Sequence, residues 1–101
     1  MSLRAEKEKM LAGESYNCLD PDLEAERQKA KEFLQLYNMT AALPERQTIL
    51  QQLLGGTGQN VIIEPPFYCT YGQNIYIGDF VYMNVLWTIL DNQAIHKMVV
   101  L

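Results

Sequence analysis

Apolar positions follow two different rhythms along this chain, and the change falls near Gly55-Gly56-Thr57-Gly58. The first rhythm is helical. Arg4 to Ala12 reads as a short amphipathic segment with Met10 and Leu11 at its apolar end, and Gly13 suits a C-cap. Asp20-Pro21 is a start signal, because the aspartate caps free N–H groups and the proline sits where its missing donor costs nothing. From there Leu23, Ala30, Phe33, Leu34 and Tyr37 recur at roughly helical spacing, with Glu24, Glu26, Lys29 and Lys31 on the other face. A third helix is predicted from Pro44 through Ile49, Leu50, Leu53 and Leu54 to the Gly-Gly pair.

The second rhythm has a period of six. Tyr71, Ile77, Met83, Ile89, Ile95 and Leu101 stand six apart and are all apolar. The first three are followed by Gly72, Gly78 and Asn84, residues that suit a tight or left-handed corner. Four residues after the same three come Ile75, Val81 and Trp87. This is the repeat of a parallel β-helix, with one short strand and one turn per hexapeptide and three hexapeptides per triangular coil. The competing reading is a β-meander that places apolar residues six apart by coincidence, and the agreeing Gly and Asn phases speak against it. The pattern weakens late, where Gln93 occupies an expected apolar position and no glycine follows Ile89 or Ile95. Pro65-Pro66 excludes a long helix in this half. The predicted class is α+β, with a helical segment over 1–57 and the first coils of a β-helix over 58–101.

Composition sharpens the division. Of the 20 charged residues, 16 precede Gly58, while seven of the ten aromatic residues follow it. The net charge of -4 and the mixing of lysine and arginine with acidic residues leave no basic stripe for a nucleic acid. Two cysteines, Cys18 and Cys69, lie far apart with no C-x-x-C, and His96 is the sole histidine, so a Cys/His metal site is not expected. No apolar run reaches membrane-spanning length, and residues 1–9 are too charged for a secretory signal. A cytoplasmic protein with reduced thiols is the resulting expectation.

The order of motifs resembles the maltose, galactoside and nodulation-type O-acetyltransferases. The resemblance rests on E-K-E-K-M-L-A-G at 6–13, Y-N at 16–17, D-P-D-L at 20–23 and E-R-Q-K-A-K at 26–31. Its most specific part runs from Glu64 to Asn84, where E-P-P-F is followed by Y-G-Q-N-I-Y-I-G, and it continues to T-I-L-D at 88–91. The resemblance implies a left-handed β-helix beside a helical segment, a homotrimer, and acetyl-CoA lying between neighbouring β-helices as co-substrate. It implies a sugar acceptor whose hydroxyl is deprotonated by a histidine, and no metal. By position it implies that Tyr82 and Asn84 line the acceptor and acetyl-transfer pocket, Asn84 also meeting the cofactor. Thr70 stands where the galactoside branch has a sugar-contacting serine, and Asp91 and Asn92 match an acidic pair that binds sugar hydroxyls. Asn92 and Cys18 depart from the acidic residues of that branch, which weakens galactoside specificity.

In such proteins T-I-L-D leads to an I-G-D-N-V repeat and then to a T-x-x-H-P segment bearing the base. Residues 94–101 carry neither. The expectation is a truncated, inactive form of the enzyme; the alternative is a non-catalytic assembly module of the same ancestry. His96 lacks the following proline and comes about twenty residues early, so it is expected at an outward hexapeptide position and not as the base. A β-helical carbonic anhydrase is excluded by the single histidine. Asn84 also has a purely structural reading as a left-handed corner, and Asp91 one as a solvated turn residue.

Overall fold

The computed structural model describes the backbone of residues 5–97 and the side chains of residues 5–95. Three helices precede seven short strands: α1 (Glu6–Leu11), α2 (Pro21–Met39), α3 (Leu43–Leu53), β1 (Gly56–Thr57), β2 (Ile62–Ile63), β3 (Phe67–Cys69), β4 (Ile75–Ile77), β5 (Tyr82–Met83), β6 (Trp87–Ile89) and β7 (Ile95–Lys97). The Asp20 carboxylate caps α2 as expected, accepting from the backbone N–H of Asp22 at 3.1 Å and of Leu23 at 3.4 Å. Leu23, Ala30, Leu34 and Tyr37 form its buried face.

The strands wind into a parallel coil with three faces, ordered β1-β4-β7, β2-β5 and β3-β6. Gly56 faces Tyr76, Ile62 faces Tyr82, Phe67 faces Trp87 and Ile75 faces Ile95, so one coil takes 20 residues. Three hexapeptides account for all but two of them. The extra pair lies in the turn from β3 to β4, residues 70–74, and again in the turn from β6 to β7. This corrects the even six-residue series. Ile77, Met83 and Ile89 keep one phase, but Tyr71 and Ile95 do not share it, because Ile95 stacks on Ile75. Gln93 is polar because it stands in a turn. Leu101 lies outside the described residues.

The corners are also displaced from their expected places. Positive φ occurs at Asn60, Gly72, Phe80 and Leu86, and not at Gly78 or Asn84. The chain stays in the ordinary region for two residues beyond β4 before it turns. Backbone bonds to the preceding coil hold the bulky left-handed residues, with Phe80 N–H donating to Gln59 O and Leu86 N–H to Pro66 O.

The helices and the coil bury their apolar side chains together. One cluster joins Ala30, Leu34, Tyr37, Ile49, Leu50 and Leu53 to Val61, Ile63, Phe67, Ile75, Val81 and Met83. A first coil has an open edge of backbone groups, and such edges invite unwanted pairing. Helix side chains satisfy this one. Tyr37 Oη donates to Ile63 O, and Gln47 Nε2 donates to Val61 O. Asn38 acts like a neighbouring strand, donating to Phe67 O at 3.1 Å and accepting from Phe67 N–H at 2.9 Å.

Candidate functional site

The turn from β3 to β4 is built around a carboxylate. Asp91 is fully buried directly above Tyr71 in the stack. Its Oδ1 accepts from the N–H of Thr70 at 3.1 Å and of Tyr71 at 2.8 Å, while Oδ2 accepts from Gly72 N–H at 2.7 Å and Asn74 N–H at 3.3 Å. Asn74 Nδ2 closes the ring by donating to Asp91 O at 2.8 Å. Successive N–H groups converging on an anion make a nest, and charge-assisted bonds of this kind are among the stronger ones in proteins. The expectation that Asp91 binds sugar hydroxyls is thereby corrected, because both oxygens are engaged inside the fold and none of the residue is exposed. It is not a solvated turn residue either.

The nest decides what surrounds it. Tyr71 is thrown out of the coil into a second small cluster with Met10 and Leu23, against which Tyr16 packs. Its hydroxyl accepts from Arg27 Nη1 at 3.0 Å, which ties the turn to α2. Thr70 lies half-buried at the start of the turn. Asn92 follows Asp91 and faces outward, where its Nδ2 donates to Tyr16 Oη at 3.3 Å. Thr70 and Asn92 therefore share one corner, with Asp91 behind them and Tyr16 beside them. Tyr16 belongs to the Y-N pair at 16–17 of the motif series, which is the sequence signal that points to it.

Tyr82 and Asn84 occupy a different corner. Both side chains project outward from β5 and its following turn, on either side of the buried Met83. Asn84 Oδ1 accepts from Val85 N–H at 2.8 Å, which leaves its amide hydrogens directed away from the backbone. Glu64 stands one coil below and faces Arg46 Nη1 at 3.9 Å. Strand β6 separates this corner from that of Thr70 and Asn92. Within one chain, the expected site residues fall into two groups.

The remaining candidates are quieter. Cys18 is an exposed free thiol, and Cys69 is a free thiol whose pKa is pushed up to about 12, chiefly by burial and then by the nearby Asp91 charge. A thiol held in that state is a poor nucleophile. His96 is paired with Tyr76 through β7, and its side chain lies outside the described residues, as does the outward placement expected for it. Among the described residues, no three His, Cys, Asp or Glu side chains gather as a metal would require, and no helix is long and apolar enough to cross a membrane.

Comparison with known proteins gives this geometry a context. The maltose acetyltransferase hexapeptide capping motif matches residues 9–58, the helices and the strand that open the coil. Nodulation protein L of Rhizobium meliloti (strain 1021) is 46% identical over 90 residues, covering 87% of this chain and 49% of that protein. A hexapeptide-repeat containing acetyltransferase from Vibrio cholerae O1 biovar eltor, solved with acetyl coenzyme A, superposes with a TM-score of 0.85 at 32% identity, over 94% of this chain and 52% of that one. A maltose O-acetyltransferase from Clostridium difficile 630 gives 0.86 at 32% identity, over 98% and 56%. The chain spans about half the length of the relatives it matches.

Proposed function

Because the chain belongs to the hexapeptide-repeat acetyltransferases that carry the maltose acetyltransferase capping motif, we propose that it serves an acetyl-CoA-dependent O-acetyltransferase acting on a sugar hydroxyl. The coil is read as left-handed and the working form as a cytoplasmic homotrimer. The observation that carries this reading is the division of the site residues between two corners. A triangular coil that associates in threes sets one corner of each copy against a different corner of its neighbour. Thr70 and Asn92 of one copy then face Tyr82 and Asn84 of the next. The outer surface supports such packing at both corners: Phe80 and Leu86, beside Tyr82 and Asn84, are 73% and 72% exposed, Leu90, beside Asp91, is 73% exposed, and charged groups are sparse there.

In acetyl transfer the acceptor hydroxyl gives its proton to a base as its oxygen bonds to the thioester carbonyl carbon, negative charge collects on the carbonyl oxygen, and the C–S bond breaks to release CoA thiolate, which takes up the proton. Donors aimed at the developing oxyanion lower that barrier. Asn84 suits the role, because Val85 N–H occupies its carbonyl and fixes its amide hydrogens outward. Tyr82 supplies a neighbouring hydroxyl. Thr70 and Asn92 hold the acceptor from the other side.

Among the described residues, the carboxylates of the coil are each already partnered. On the coil the described carboxylates are Glu64, Asp79 and Asp91; Glu64 faces Arg46, Asp79 Oδ1 accepts from Gln59 N–H at 2.7 Å, and Asp91 is enclosed. The 101-residue polypeptide assayed alone with acetyl-CoA and maltose, glucose or a galactoside is expected to release thiol no faster than the blank. Transfer above blank that disappears in Asn84→Ala would overturn this part of the proposal.

A further inference from the structure

We infer that Tyr16 is a positioning residue for acceptor choice: it fixes Asn92 so that the two side chains present one donor and one acceptor to adjacent hydroxyls of an uncharged sugar. The inference rests on the acceptor reading proposed above and adds the residue and the ligand chemistry.

A free asparagine on an exposed turn can offer either end of its amide to a ligand. Here Nδ2 donates to Tyr16 Oη at 3.3 Å, and in this arrangement Oδ1 is left to accept. The phenol receives that hydrogen and keeps its own proton to donate. Tyr16 does not wander, because its ring packs against the cluster of Met10, Leu23 and Tyr71. The corner beneath is held by the Asp91 nest, and Arg27 pins Tyr71 from α2. Pre-set polar groups of this kind discriminate through the cost of leaving one of them unpaired.

The pair is neutral. The charges nearby are held by other partners: Glu6 accepts from Asn17 N–H and pairs with Lys9 at 2.8 Å, and the Arg27 guanidinium is turned to the Tyr71 hydroxyl. One donor beside one acceptor matches two neighbouring hydroxyls, each of which gives one hydrogen bond and takes another. A sugar carboxylate at the same place offers no hydrogen to Asn92 Oδ1 and leaves that oxygen facing an anion.

The test is a titration of the ¹⁵N-labelled chain with maltose and with glucuronate. It follows the Asn92 side-chain amide and the Thr70 backbone amide in wild type, Tyr16→Phe, Asn92→Ala and the double variant. Phenylalanine keeps the packing, so the fold is retained and a thermal melt verifies it. In the sugar-free protein, Tyr16→Phe is expected to move the Asn92 side-chain resonances. With maltose, wild type shows saturable shifts at this corner, and Tyr16→Phe weakens binding roughly three- to tenfold, the worth of one hydrogen bond between neutral groups. Tyr16→Phe costs less in the Asn92→Ala background than in wild type, because part of what Tyr16 contributes runs through Asn92; equal costs in the two backgrounds overturn the positioning role. Glucuronate binds more weakly than maltose. If Tyr16→Phe titrates like wild type while wild type binds maltose at this corner, Tyr16 has no such role and the acceptor reading stands. If maltose moves nothing at this corner in wild type, both the pair and the acceptor reading fall. Equal or tighter glucuronate binding overturns the preference for a neutral ligand.

Discussion

Asp91→Ala is expected to cost about 3–5 kcal/mol, a large part of what holds a domain of this size together. Three buried backbone N–H groups, those of Tyr71, Gly72 and Asn74, lose their acceptor at once, while Thr70 N–H keeps its bond to Ile89 O at 3.2 Å. Each unpaired buried donor costs about 1–3 kcal/mol, and partial collapse of the turn limits the total. Asp91→Asn is expected to recover little, since one oxygen is exchanged for an NH₂ that points hydrogens at hydrogens. Asp79→Ala is the internal comparison. It removes an acceptor from one exposed bond to Gln59 N–H and is expected to cost about 0.5–1.5 kcal/mol. Urea unfolding followed by circular dichroism measures all three. An Asp91→Ala cost no greater than that of Asp79→Ala contradicts the nest as the organiser of this corner.

Gly72→Ala carries the second large effect, about 2–5 kcal/mol, from two independent penalties. At φ +85° an L side chain is strained by about 1–2 kcal/mol. A Cβ there also lies 2.6 Å from Leu53 Cδ1 and 2.7 Å from Leu53 O, and crowding of packed atoms adds about 1–3 kcal/mol. The Leu53 carbonyl cannot retreat freely, because it accepts from Gln73 Nε2 at 2.7 Å. The same unfolding assay applies, and a wild-type midpoint for Gly72→Ala refutes the close approach of α3 to this turn.

These two residues also mark what could and could not be read from the sequence. The helix starts were legible because their signals are local: Asp20-Pro21 needs only the next three residues to act. The coil was legible as a six-residue rhythm in Ile77, Met83 and Ile89. Its true length of 20 was not, since Tyr71 and Ile95 are apolar for reasons of their own and fall into step by coincidence. Tyr71 is apolar because it anchors α1 and α2 from outside the coil, and nothing near it in sequence says so. The Gly-Gly-Thr-Gly stretch reads as a helix stop, yet it also permits contact between coils: a Cβ on Gly55 would lie 2.3 Å from Gln73 O. For the site, the family resemblance implied Thr70, Tyr82, Asn84, Asp91 and Asn92 together as substrate-binding residues. It did not separate Asp91 from Asn92, because neighbours in a turn point opposite ways and only the coil below shows which one is enclosed. Tyr16 meets Asn92 across 76 residues of chain, a distance no local pattern spans.

The account depends on bringing two corners together, so the most direct measurement is sedimentation velocity of the purified chain over a range of concentrations, with Leu86→Glu beside it. Wild type is expected to sediment as a species of three 11.6 kDa chains and the variant as the single chain, since a charge would be buried where Leu86 now stands open. A folded wild-type chain that stays monomeric at every concentration contradicts it, because Thr70 and Asn92 then never meet Tyr82 and Asn84.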